Sequence, residues 1–309
     1  MFSILGPNLQ RNALVSRSGN FAIVSGHKCI KKYSLVSRSE IIFLPYPNFI
    51  DSLIWAENEE HFFACEFDPP CDIVRFRTLL LLEDRRFPGV GVRVQAPLLL
   101  DNFHLFAPSV NDFISLWDIK AQSSPLIVPH NMTIHSSIAY GEGVMTGCGL
   151  GNLSIWSKQL EVTKNVHFQF KIFCLKISDK WGFIIAGSDN SVALISKDKL
   201  QLVQTFDANF NDIRSMTLWF QDELLFFGGK GKKIYQLAIR TGETSKIGSH
   251  RNWVIKVDIL WGNTLLSSSY DGGMDLRRLK PALNAPNYYR TRGDRKTFSR
   301  KKLLKTIRL

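Results

Sequence analysis

Hydrophobic residues in this chain come in short runs broken by Gly, Asn, Asp and Ser, and they rarely recur at the helical spacing of about 3.6 residues. One pattern repeats instead: an apolar run, a turn of small residues, then a strand of alternating apolar positions that ends in a larger side chain. The second runs are Ile30 to Tyr33, Ile73 to Phe76, Ile114 to Trp117, Leu153 to Trp156, Val192 to Ile195, Ile234 to Leu237 and Met274 to Arg277. Their last residues are spaced by 43, 41, 39, 39, 42 and 40 positions, a period of about 41 across almost the whole chain. Each is preceded by a run ending in turn residues: AIVSGHK, FFACEFDPP, LFAPSVND, VMTGCGLGN, IIAGSDNS, LFFGGKGKK and LLSSSYDGG. Gly, Asn and Asp there supply the backbone angles that tight hairpin turns require. Further upstream lie denser apolar stretches (IDSLIWA, HSSIAYG, FKIFCLKIS, IRSMTLWF, WVIKVDILW), expected to be strands buried on both faces. Four short strands per repeat and seven repeats predict an all-β chain, with one short helix expected near Lys301 to Ile307.

The period, the strand count and several residues resemble WD40 repeats, the family that forms β-propellers. The repeat ending FISLWDI holds the Trp117-Asp118 dipeptide that names the family. Another places His130, Thr146 and Trp156 where, by that resemblance, His, Thr and Trp are linked by hydrogen bonds between strands. In the last repeat the corresponding residues are His250, Ser267 and Asp271, with Arg277 at the Trp position. The resemblance implies a seven-bladed WD40-like propeller over residues 1–280 and a short basic tail over 281–309. It departs from the family pattern in most repeats: one WD dipeptide is present, and Leu150 stands where the fourth repeat's turn would carry Asp. The apolar run Phe2 to Leu5 precedes the first repeat, and the last repeat stops after its third strand near Leu279, so the two are expected to pair and close the ring. Leu79 to Gly91 reads as an outer strand followed by a Pro-Gly loop.

Composition narrows the function. The five cysteines (Cys29, Cys65, Cys71, Cys148, Cys174) include no CxxC pair, and no histidine pair has metalloprotease spacing, so neither a disulfide framework nor a metal site is expected. GGKGKK at Gly228 to Lys233 lacks the spacing of a phosphate-binding loop and reads as a hairpin turn. No nucleophile, acid-base pair or cofactor motif stands out, and the chain is expected to be non-catalytic. No apolar run approaches the roughly 18 residues of a membrane span. Of the net charge of +12, residues 290–309 carry +8 through Arg290, Arg292, Arg295, Lys296, Arg300, Lys301, Lys302, Lys305 and Arg308 against Asp294. These nine residues are candidates for an import-receptor address or for contact with nucleic-acid phosphates. The expectation is a scaffold that binds other proteins in a larger, nuclear complex. The alternative is an RNA-associated subunit of ribosome biogenesis or tRNA modification that uses the tail together with Lys230, Lys232 and Lys233.

Overall fold

A computed structural model describes residues 2–3 and 12–279, except 27, 57, 90, 111–112, 122, 131, 208–209, 220–222 and 261–262. The basic tail residues from Arg290 to Arg308 and the helix expected near Lys301 lie outside the described residues.

Every regular element among them is a strand. After β1 (Phe2–Ser3), blade 1 is β2 (Asn12–Val15), β3 (Phe21–Gly26), β4 (Cys29–Ser34) and β5 (Ser39–Pro45). Blade 2 is β6 (Ile50–Trp55), β7 (His61–Glu66), β8 (Ile73–Arg77) and β9 (Leu82–Phe87), the last being the outer strand expected after Leu79. Blade 3 comprises β10 (Leu98–Leu99), β11 (His104–Pro108), β12 (Phe113–Asp118) and β13 (Leu126–Pro129). Blade 4 comprises β14 (Ile134–Tyr140), β15 (Gly143–Cys148), β16 (Asn152–Trp156) and β17 (Val162–His167). Blade 5 follows with β18 (Cys174–Ser178), β19 (Phe183–Gly187), β20 (Ser191–Ser196) and β21 (Leu202–Asp207), and blade 6 with β22 (Ile213–Trp219), β23 (Leu224–Gly229), β24 (Lys233–Ala238) and β25 (Thr244–Ser249). Blade 7 has β26 (Val254–Leu260), β27 (Thr264–Ser269) and β28 (Gly273–Arg278). Each sheet is a four-stranded antiparallel meander, and β1 completes blade 7 by pairing with β28, Phe2 opposite Met274 and Ser3 opposite Gly273. The molecule is a seven-bladed β-propeller, consistent with a WD40-like ring.

Seven apolar clusters fill the seven interfaces between neighbouring blades. Ile23 and Ile30 of blade 1 pack with Phe62 and Phe76 of blade 2, and Leu266 and Met274 of blade 7 pack with Ala22 and Val24 of blade 1. That last cluster closes the circle. Each fully buried Phe or Ile contributes about 1.5 to 3 kcal/mol, against about 1 kcal/mol net for a side-chain hydrogen bond, so packing between blades dominates and polar links can be lost from a blade.

The innermost strands differ from the expectation of burial on both faces. β14, β22 and β26 are mostly half-buried, whereas the second strands β7, β15 and β23 are buried over five of six residues. The reason is position in the ring: a second strand has a partner on each side and a blade on each face, while an innermost strand leaves one edge toward the axis.

Because the strands of a blade alternate in direction, its first and third strands begin at one end of the ring, here termed the entry end. The turns from second to third strands and the connections between blades all cluster there.

Candidate interaction surface

The residues singled out by the repeat pattern fall on its strands and turns. In blade 4 the Trp156 indole donates to Thr146 Oγ1 at 2.9 Å, both buried. His130 instead accepts the Met132 amide on Nδ1 at 3.1 Å. In blade 7, His250 Nε2 lies 2.9 Å from Ser267 Oγ. Asp271 accepts the Gly273 amide at 2.8 Å within its own turn and acts on His250 through its charge alone. Burial pushes the His250 imidazole below its ordinary value despite that charge. Arg277, at the Trp position, faces Asp275 at 3.6 Å. In blade 3 the Trp117 indole donates to Ser115 on the same strand at 3.2 Å, and Asp118 accepts the Lys120 and Ala121 amides at 2.8 and 3.0 Å, fixing the next turn. These groups act as internal fasteners. All five cysteines are buried and free.

The entry end carries a constellation that the sequence did not announce. The pairing of first and second strands slips by one residue between Ile50 and Ser52, Ile134 and Ser136, Ile213 and Ser215, and Val254 and Lys256. Each slip is a β-bulge, which re-aims the extra residue. In blades 2, 4 and 6 the extra residues are Asp51, His135 and Arg214. Asp51 pairs with Arg93 at 2.8 Å, His135 Nδ1 lies 3.1 Å from Gln95 Nε2, and Arg214 pairs with Asp212 at 3.0 Å. The Arg214 guanidinium also lies 3.9 Å from the centre of the Phe173 ring, whose edge-to-face partner is His135. Burial, then the charge of Arg214, pushes the His135 imidazole down to about 4, with Arg93 and Lys171 adding to the effect and Asp212 opposing it.

The constellation continues toward blade 7. Asp212 also takes an ion pair from Lys230. Burial works to raise the Asp212 carboxyl, but the Lys230 and Arg214 hydrogen bonds hold it below the usual carboxylate range. Lys230 Nζ lies 5.2 Å from the Trp253 ring centre, and Trp253 meets Tyr270 edge to face at 5.7 Å. Backbone hydrogen bonds tie these loops together. The Gly231 amide donates to Asn211, the His250 amide to Lys232 and the Tyr270 amide to Trp253, at 3.1, 2.8 and 3.1 Å. Residues 230–232, the centre of the glycine-rich stretch GGKGKK at Gly228 to Lys233, thus form a hairpin turn braced on both sides.

The opposite end holds clefts between blades. One of about 400 Å3 is lined by His61, Phe63, Arg75, Asn102 and Phe103, and another of about 550 Å3 by Phe21, Lys32, His61 and Arg77. Asp84 collects Arg75, Arg77 and His61 beside them. Among the described residues no three His, Cys, Asp or Glu side chains converge as a metal site. No helix there is long and apolar enough to cross a membrane. No family model and no curated protein matches this chain in sequence.

Proposed function

We propose that this chain is a non-catalytic scaffold that holds other proteins in a larger, nuclear complex through the loops at the entry end of its propeller. The observation that carries the reading is the bracing of those loops. The turn at 230–232 is hydrogen-bonded to the connections on either side of it, so binding costs little ordering entropy, which suits a platform for partners. Propellers are typically used in this way, and the charged, aromatic entry end offers the mixture of Arg, Trp and Tyr that dominates binding surfaces. Nuclear residence rests on the basic tail of the sequence. The RNA alternative is weakened because Lys230, one of its three loop contacts, is already engaged by Asp212.

Affinity purification of the tagged full-length chain from its own cells, with and without ribonuclease, tests the proposal. A stoichiometric protein partner that survives ribonuclease is expected. A chain that elutes from native extract alone would overturn the scaffold reading, and partners that vanish with ribonuclease would favour the RNA one.

A further inference from the structure

The loops at residues 210–214, 230–233, 250–253 and 270–272 hold five cations, Arg214, Lys230, Lys232, Lys233 and Arg251, against two carboxylates, Asp212 and Asp271. Asp212 is spent on Arg214 and Lys230, and one Asp271 oxygen accepts the Gly273 amide. Among the described residues no carboxylate pairs with Lys232, Lys233 or Arg251, all three exposed. On the 250–253 loop stands Trp253, 41% exposed although a large aromatic, propped by Tyr270 and with Lys230 Nζ 5.2 Å from its ring centre. Lys232 adopts φ of 61°, where a glycine would be at ease and a lysine costs about 1 kcal/mol, so the turn carries a cation where chain geometry alone favours none.

We infer that this ridge, spanning blades 6 and 7 at the entry end, docks a short acidic peptide segment of a partner protein, with an apolar side chain on Trp253 and carboxylates on Lys232, Lys233 and Arg251. The inference rests on the scaffold reading and names the partner's chemistry. Exposed cations around an exposed Trp make an anchor with a charged rim, the usual arrangement of a binding hot spot. A peptide fits better than a nucleic acid. Asp212 and Asp271 interrupt the ridge, so it offers separate charges for carboxylates rather than the continuous track that a phosphate backbone follows.

The test uses the full chain and fluorescence anisotropy at physiological salt. The probes are a labelled Asp/Glu peptide with a central Leu-Phe pair, its Asn/Gln counterpart and a single-stranded RNA. The variants are Lys232→Glu with Arg251→Glu, Trp253→Ala, and the charge-matched pair Lys158→Glu with Lys199→Glu at the opposite end, each checked by thermal melting. The acidic peptide should bind and its neutral counterpart should not. The ridge charge reversal and Trp253→Ala should each weaken binding by about tenfold or more, and the opposite-end pair by less than about twofold. Failure of the acidic peptide to bind, or equal losses from both charge-reversed pairs, would overturn the inference. So would RNA binding that is tighter and lost with the same ridge residues. If native partners co-purify as well with the ridge variants as with the parent chain, the ridge assignment falls while the scaffold reading stands. If the parent chain purifies alone, the scaffold reading itself falls.

Discussion

Trp156 shows how a single side chain fastens a blade. Its ring fills the interface between blades 3 and 4 with Phe106 and Ile114, while its N–H crosses to Thr146 on the neighbouring strand. Trp156→Ala should therefore cost about 3 to 5 kcal/mol through the cavity it leaves, and Thr146→Val about 1 to 2 kcal/mol by orphaning the indole N–H. Urea unfolding of both variants checks the ratio. His135 gives a pH dependence. Its imidazole titrates near 4 in the fold and near the ordinary 6.5 in the unfolded chain. Between those values the unfolded chain binds a proton that the fold refuses, so stability falls as pH drops from about 6.5 to about 4 and the loss is complete below that. Discounted for its partial exposure, the effect is about 2 kcal/mol. The difference in stability between the parent chain and His135→Gln, followed from pH 7 to pH 4, should trace that slope, and a difference independent of pH would refute it. The Trp156 position was legible in the sequence because it closes a periodic strand. His135 was not, because its environment comes from Gln95, Phe173 and Arg214, which lie far from it in sequence.

At the level of elements, alternation and turn chemistry reveal strands well, since Gly, Asn and Asp mark each hairpin and the anchors repeat every 41 or so residues. Bulges stay hidden, because one extra residue between Ile134 and Ser136 looks like any other strand residue until its partner strand is known. The same blindness explains why the entry-end constellation went unread: bulges aim Asp51, His135 and Arg214, and only the side-by-side packing of successive blades supplies their partners Arg93, Gln95 and Phe173. The closing strand is the element whose loss is most informative. β1 supplies two paired residues, yet it covers the edge of β28, and an uncovered edge recruits other strands. Removing residues 1–5 should lower the unfolding midpoint and produce concentration-dependent oligomers by light scattering. A truncated chain as stable and monomeric as the parent would show that β1 does not hold the ring shut.

For the whole molecule, the ring of seven interfaces makes the blades a single mechanical unit with two unlike ends. Fasteners such as His250 with Ser267 hold it internally, while Lys232, Lys233 and Arg251, with which no carboxylate pairs among the described residues, lie with the exposed Trp253 at the entry end. The basic tail is a separable feature of the sequence. Deleting residues 286–309 removes nine positive charges and none of the described strands, so the fold should keep its melting temperature while nuclear enrichment in cells is lost; retained enrichment would dismiss the address. The central claim, that the entry end is where partners sit, is tested most directly by amine-reactive cross-linking of the native complex followed by mass spectrometry. Links to a partner should concentrate on Lys171, Lys230, Lys232 and Lys233, and links confined to Lys120, Lys158, Lys180 and Lys199 at the opposite end would contradict it.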